Sequence, residues 1–257
     1  VLIGLALQAG AYLACVGPLR GRFAGSAPVP QTQIQTFLMG VLVLFIALVS
    51  PLDALGDHYL LAAHMIQHLL LTLIAPPLLL LGTPRWLLRP LLRLPFALPI
   101  GRVLTGPLVA FMAFNFTFAI WHVPAYYERA LHDQTIHIIE HVMFFVTAVL
   151  TWWPIFSPLD ELPPLSAPAQ CLYLFGESLP PTILGALITF SGDVLYPTYA
   201  AAPRVWGLAP LTDQQIGGLI MWIPGALVFF TVLTIVFMRW LNRDEYEPSP
   251  DTGRVTP

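Results

Sequence analysis

Seven histidines supply most of the side chains in this sequence that could do chemistry, and four of them form two matched pairs. His64 and His68 are four residues apart, as are His137 and His141. On a helix that spacing puts both members of a pair on one face, about one turn apart. Imidazole ligates zinc, copper, nickel and iron, so two such pairs on facing helices can converge on one metal ion or on a haem iron. The plain alternative is that each histidine bonds a neighbouring backbone or hydroxyl group and packs helices together. At ~1.5 Å rise per residue, His68 lies on the order of 15 Å into its apolar segment, and His141 is similarly deep. Four imidazoles at that depth are costly unless something pairs or coordinates them, which favours the metal or haem reading for the group.

Other polar residues bear on the same region. Asp53 and Asp57 precede the first pair, Asp193 ends the sixth apolar segment and Asp213 opens the last; they read either as a cation funnel or as ordinary partners of helix N-termini. Met65, Met143 and Met221 offer soft thioethers suited to Cu(I), although methionine more often fills cores. Glu140 sits between the second pair of histidines and could orient one of them. Glu177 lies mid-segment without an arginine nearby, so it must be protonated, hydrogen-bonded or part of a proton or ion path. Cys15 and Cys171 are isolated, and packing is their simplest role.

The elements that hold these residues are membrane spans. The 257 residues are 57% hydrophobic and 10% charged, against roughly 25% charged in soluble domains. No soluble fold of this size could hide so much apolar surface. Every one of the eleven basic residues is arginine, which removes lysine chemistry, a retinal Schiff base included. Net charge is −3 with no basic run, so nucleic acid is not a partner. Segments 1–18, 33–51, 58–81, 103–122, 133–156, 169–190 and 214–240 are each long and apolar enough to read as a span, predicting an all-α bundle of about seven transmembrane helices. Residues 241–257 read as a short tail. Between Pro84 and Pro95, arginines at four-residue spacing alternate with Trp86 and leucines, as in a short helix lying in the interface.

Arginine placement sets the orientation. Arg20, Arg22, Arg85, Arg89, Arg93, Arg102, Arg239, Arg243 and Arg254 fall on one side and only Arg129 and Arg204 on the other. By the positive-inside rule the N-terminus is outside and the C-terminus cytoplasmic. All seven histidines then lie outside or in the outer leaflet, while Trp86, Trp152, Trp153 and Trp240 fall where a cytoplasmic aromatic belt would be.

The stretch His64-Met65-Ile66-Gln67-His68, with Ala75-Pro76-Pro77 and the following leucines to Gly82, resembles the third helix of the multi-spanning CtaG-type cytochrome c oxidase assembly factors. Trp121-His122-Val123-Pro124, His137-Ile138-Ile139-Glu140-His141 and Trp152-Trp153-Pro154 resemble the next two helices, and Asp213 to Met221-Trp222 the seventh. The resemblance implies a non-catalytic bacterial plasma-membrane protein that matures a haem–copper oxidase by handling copper for its catalytic subunit. It implies His64, His68, His122, His137 and His141 as metal residues, with Asp213 and Met221 as weaker candidates. Membrane lipid and the oxidase subunit are the implied partners, and self-association into a homo-oligomer stays open. Two other classes remain beside this one: a membrane haem protein with one axial histidine from each pair, and a histidine-rich di-iron oxygenase, for which seven histidines are few. A transporter built on Glu177 and the broken helices is a further reading, without a repeat to support it.

Overall fold

A computed structural model describes residues 1–244, and every regular element among them is helical. The main helices are α1 (Leu2–Val16), α2 (Gln31–Val49), α3 (Pro51–His58), α4 (Leu61–Gly82), α5 (Ala97–Leu104), α6 (Pro107–Trp121), α7 (Pro124–His132), α8 (Gln134–Phe156), α9 (Ala167–Thr189), α10 (Pro197–Ala201) and α11 (Pro210–Asp244). The outer surface is apolar: Phe116, Leu172, Leu187 and Leu227 are all exposed. Such a surface needs lipid, not water, around it, as the composition predicts.

Five helices are long and apolar enough to cross a membrane: α2, α4, α8, α9 and α11. A sixth span forms if α5 and α6 are taken together across a 66° bend. Pro107 causes that bend, because the residue before a proline is pushed out of helical geometry, and Gly106 is extended. The predicted first span is realised as 15 residues, about 22 Å of helix, shorter than the ~30 Å hydrocarbon core. It is pinned by Tyr12, which stacks on Phe37 and donates from its hydroxyl to the carbonyl of Gly82 at 2.8 Å.

Several boundaries differ from the sequence expectation. The segment expected as one span over 58–81 is two helices, because the chain breaks at Tyr59 and Leu60. Ser50 caps α3, so His58 ends a separate helix and does not open the span. At the break, the amides of Leu61 and Ala62 lack helical partners, and Asp213 of α11 accepts from both, at 2.7 and 3.1 Å. The predicted interfacial helix is a single α-turn (Arg85–Leu88) followed by a 3₁₀ stretch (Arg89–Arg93). Two of its arginines turn to the loop after α8, where Arg85 meets Asp160 at 3.0 Å and Arg89 meets Asp160 and Glu161 at 3.1 and 3.2 Å. The predicted tail begins inside α11, which continues to Asp244; residues 245–257 lie outside the described residues.

The histidine-bearing α4 is the central helix. Its span is 61% buried, against 17–39% for the other four, and it packs on α2, α3, α8 and α11. Pro76 and Pro77 distort it into a π-turn at Leu70–Ile74. Pro76 has no N–H for the carbonyl of Thr72, and the indole Nε1 of Trp152 donates to that oxygen at 2.9 Å. Trp152 is therefore a buried repair of the helix and not a belt residue; Trp86 is buried too, against Phe23. On the other flank, α9 and α11 approach closely through glycine: a methyl added to Gly218 would sit 2.7 Å from the carbonyl oxygen of Gly185.

Candidate metal centre

Both i, i+4 pairs face each other across the α4–α8 contact. His64, His68 and His137 are buried, and His141 is half-buried. One ligand atom from each of His64, His68 and His141 lies within 4.8 Å of the others. Asp57, His64 and His137 form a second group within the same limit. His64 belongs to both, so the groups are adjoining and share a residue.

Hydrogen bonds decide which nitrogens are free. The hydroxyl of Tyr199 has one proton, and it donates to the carbonyl of Gly56 at 2.7 Å. Tyr199 must then accept at its 3.1 Å contact with His64 Nδ1, which puts the His64 proton on Nδ1 and leaves the lone pair on Nε2. Tyr127 donates to the same Tyr199 oxygen at 2.9 Å. Burial pushes both phenols up, so they stay protonated. His64 Nε2 lies 2.8 Å from His68 Nε2, and with no proton on the former the latter is the donor. A metal ion held by these two nitrogens would displace that proton.

His122 is fixed in the same manner. Its Nδ1 donates to the carbonyl of Phe118 at 2.7 Å, so its Nε2 carries a lone pair, buried and without a partner. His68 Nδ1, His137 Nε2 and His141 Nε2 are likewise buried and unpartnered, as are one oxygen each of Asp57 and Glu140. Buried polar atoms are normally satisfied, so six unpartnered positions in one region make a candidate donor set for a cation.

Two carboxylates flank the imidazoles. Asp57 lies 4.0 Å from His64 Nδ1 and 3.6 Å from His137 Nδ1. Burial and then the neighbouring Asp53 push its carboxyl up to about 7. Asp53 itself accepts from Gln67 Nε2 at 2.7 Å. Glu140 reaches across to α4, where its Oε1 is 4.0 Å from His68 Nε2; it serves the opposite helix, not its own neighbours. Asp57 also opens onto a solvent-facing depression of about 530 Å³, lined by His58, Glu128 and His132.

The five predicted histidines are thus brought to one end of the bundle. Met221 reaches the same region, on the wall of an enclosed cavity that His68 and His122 also line. Asp213 does not, since both its oxygens are used on the α4 amides. Met143 turns outward, 36% exposed, and Cys15 and Cys171 are free and part-exposed. Sequence reasoning missed Tyr127 and Tyr199: Tyr127 lies between His122 and His132 but at no helical spacing that singles it out, and Tyr199 stands far from every histidine in the chain. It saw Asp57 but could not aim it.

No curated protein and no solved structure matches the chain. The family described as cytochrome c oxidase caa3 assembly factor matches residues 10–243, a range that holds every residue of the centre. The chain belongs to the cytochrome c oxidase caa3 assembly factor family.

Proposed function

We propose that this protein binds copper at its histidine cluster and handles it for the catalytic subunit of a haem–copper oxidase, in a bacterial plasma membrane and without turning over a substrate. Family membership supports the role in oxidase assembly. The observation that carries the metal is the group of buried imidazole nitrogens without a protein partner, with Asp57 and Glu140 beside them to balance charge. Imidazole suits copper and zinc alike, and copper is preferred because the oxidase is a copper enzyme. The arginine asymmetry supports placing the cluster on the non-cytoplasmic side. A bis-histidine haem has less support: the enclosed cavity here is about 20 Å³, and His64 and His68 already touch.

Metal analysis and an absorption spectrum on detergent-purified protein test this reading. Stoichiometric copper without a Soret band is expected, with loss of copper in a His64→Ala/His68→Ala variant that still elutes as a folded species. A Soret band, or full copper retention in that variant, would sink the assignment.

A further inference from the structure

We propose that the histidine cluster leads inward to a second, chemically different site, formed by His122, Met65 and Met221 with His68 at its outer edge, and that this inner site takes monovalent copper. The inference rests on the copper-handling reading and specifies where the ion goes and in what state.

Four groups of residues follow one another from solvent to interior, and neighbouring groups are joined by a shared member. Asp57 belongs to the open depression and to the group with His64 and His137. His64 belongs to that group and to the one with His68 and His141. His68 belongs to that one and to the wall of the enclosed cavity. An ion can pass along such a series by exchanging one ligand at a time, never losing all of them at once.

Donor chemistry changes along the way. The outer group offers a carboxylate and imidazoles, a set that accepts divalent ions such as zinc but also ligates copper, so copper enters and passes along the series already as Cu(I) with no change of oxidation state. The cavity is lined by two thioether residues, Met65 and Met221, and by His122, whose Nε2 is buried, unpartnered and held in that tautomer by the carbonyl of Phe118. Its one other polar side chain besides the histidines, Thr72, is spent on the carbonyl of His68 at 2.6 Å. The rest of the lining is apolar, with Phe114, Phe118 and Phe144 among it. At about 20 Å³ the space holds one ion or one water, and it leaves no room for an ion's hydration shell. Soft, neutral donors in a dry pocket select a large, polarisable, singly charged ion over a hard or divalent one. Simple core filling would not need an unpaired imidazole nitrogen beside the methionines. Glu140, 4.0 Å from His68, supplies a counter-charge at the boundary between the two environments.

The test is X-ray absorption at the copper edge on the full-length protein loaded anaerobically with Cu(I), together with Cu(I) titration against a competing chelator. Sulfur scatterers in the wild-type shell are expected. A Met65→Leu/Met221→Leu variant, nearly conserved in volume, should lose the sulfur signal and weaken Cu(I) by about tenfold or more, while Zn(II) binding at the outer group is unchanged. A nitrogen-only shell in wild-type protein, or undiminished Cu(I) affinity in the double leucine variant, would overturn the inner site and leave the outer one standing. Wild-type protein that binds neither Cu(I) nor Cu(II) would instead remove the copper-handling reading and the inner site together. The wild-type spectrum decides the matter without any variant having to fold.

Discussion

Glu177 and His68 are both buried in the interior of this bundle, but their surroundings treat them differently. The carboxylate of Glu177 accepts from Asn115 Nδ2 at 2.8 Å and from Thr151 Oγ1 at 2.9 Å, with Tyr173 bonded to Thr151 alongside. One amide oxygen, on Asn115, is left over. Around His68, by contrast, unpartnered atoms occur on His68, His122, His137, His141, Asp57 and Glu140. A polar cluster that satisfies itself is a structural joint, here tying α6, α8 and α9 together. One that leaves buried polar atoms unpartnered is a candidate ion site, since each vacancy costs stability that an incoming ion would return. This separates Glu177, the most conspicuous intramembrane acid in the sequence, from the proposed metal site.

That contrast can be broken at either cluster. The largest effect is expected for His64→Ala, which removes the residue common to both ligand groups: copper affinity should fall by more than about 100-fold in chelator competition. Unaltered affinity would mean that the two groups do not work through a common residue. Glu177→Ala should do the reverse. It takes one acceptor from Asn115 Nδ2, which keeps the carbonyl of Phe111, and leaves Thr151 Oγ1 only the longer contact to the carbonyl of Ala110, and should cost about 1–3 kcal/mol, seen as a lower thermal unfolding midpoint, with copper stoichiometry unchanged. Copper loss in that variant at unchanged stability would join the two clusters after all.

A subtler change sharpens the comparison at the histidine end. Tyr199→Phe keeps the ring but deletes the hydroxyl that sets the His64 tautomer, and should weaken metal binding about tenfold with little change in stoichiometry. The smallest effect belongs to the surface. Arg85→Gln breaks an exposed pair with Asp160 and should shift stability by less than about 1 kcal/mol, with no effect on copper. A larger loss would mean that the arginine end contributes more to the fold than its exposure implies.

Composition and local spacing determined a good deal. The apolar content dictates lipid-facing helices, and the i, i+4 rule puts His64 with His68 and His137 with His141 before any neighbour is known. Those properties are carried by residues within a turn or a span of each other, where backbone geometry alone sets the outcome. The prolines were legible as interruptions, but which group would satisfy the freed carbonyl of Thr72 was not, because Trp152 lies 80 residues away. The break that detaches His58 from α4 was hidden for the same reason: nothing in Tyr59 or Leu60 announces it, and Asp213, 152 residues on, makes it affordable.

Only the tertiary structure decided the direction of each polar group. It turned Asp57 toward His64 and His137, aimed Glu140 at the opposite helix, and removed Asp213 from the candidate ligands by using both its oxygens on the backbone. It also placed Met221 beside His122 while turning Met143 outward, although the sequence presents the two methionines alike. Side-chain type and helical phase are local properties and can be read along the chain. Whether a lone pair is vacant or satisfied depends on atoms brought near it by folding, and it is that vacancy, not the histidine count, that makes this end of the bundle the candidate metal site.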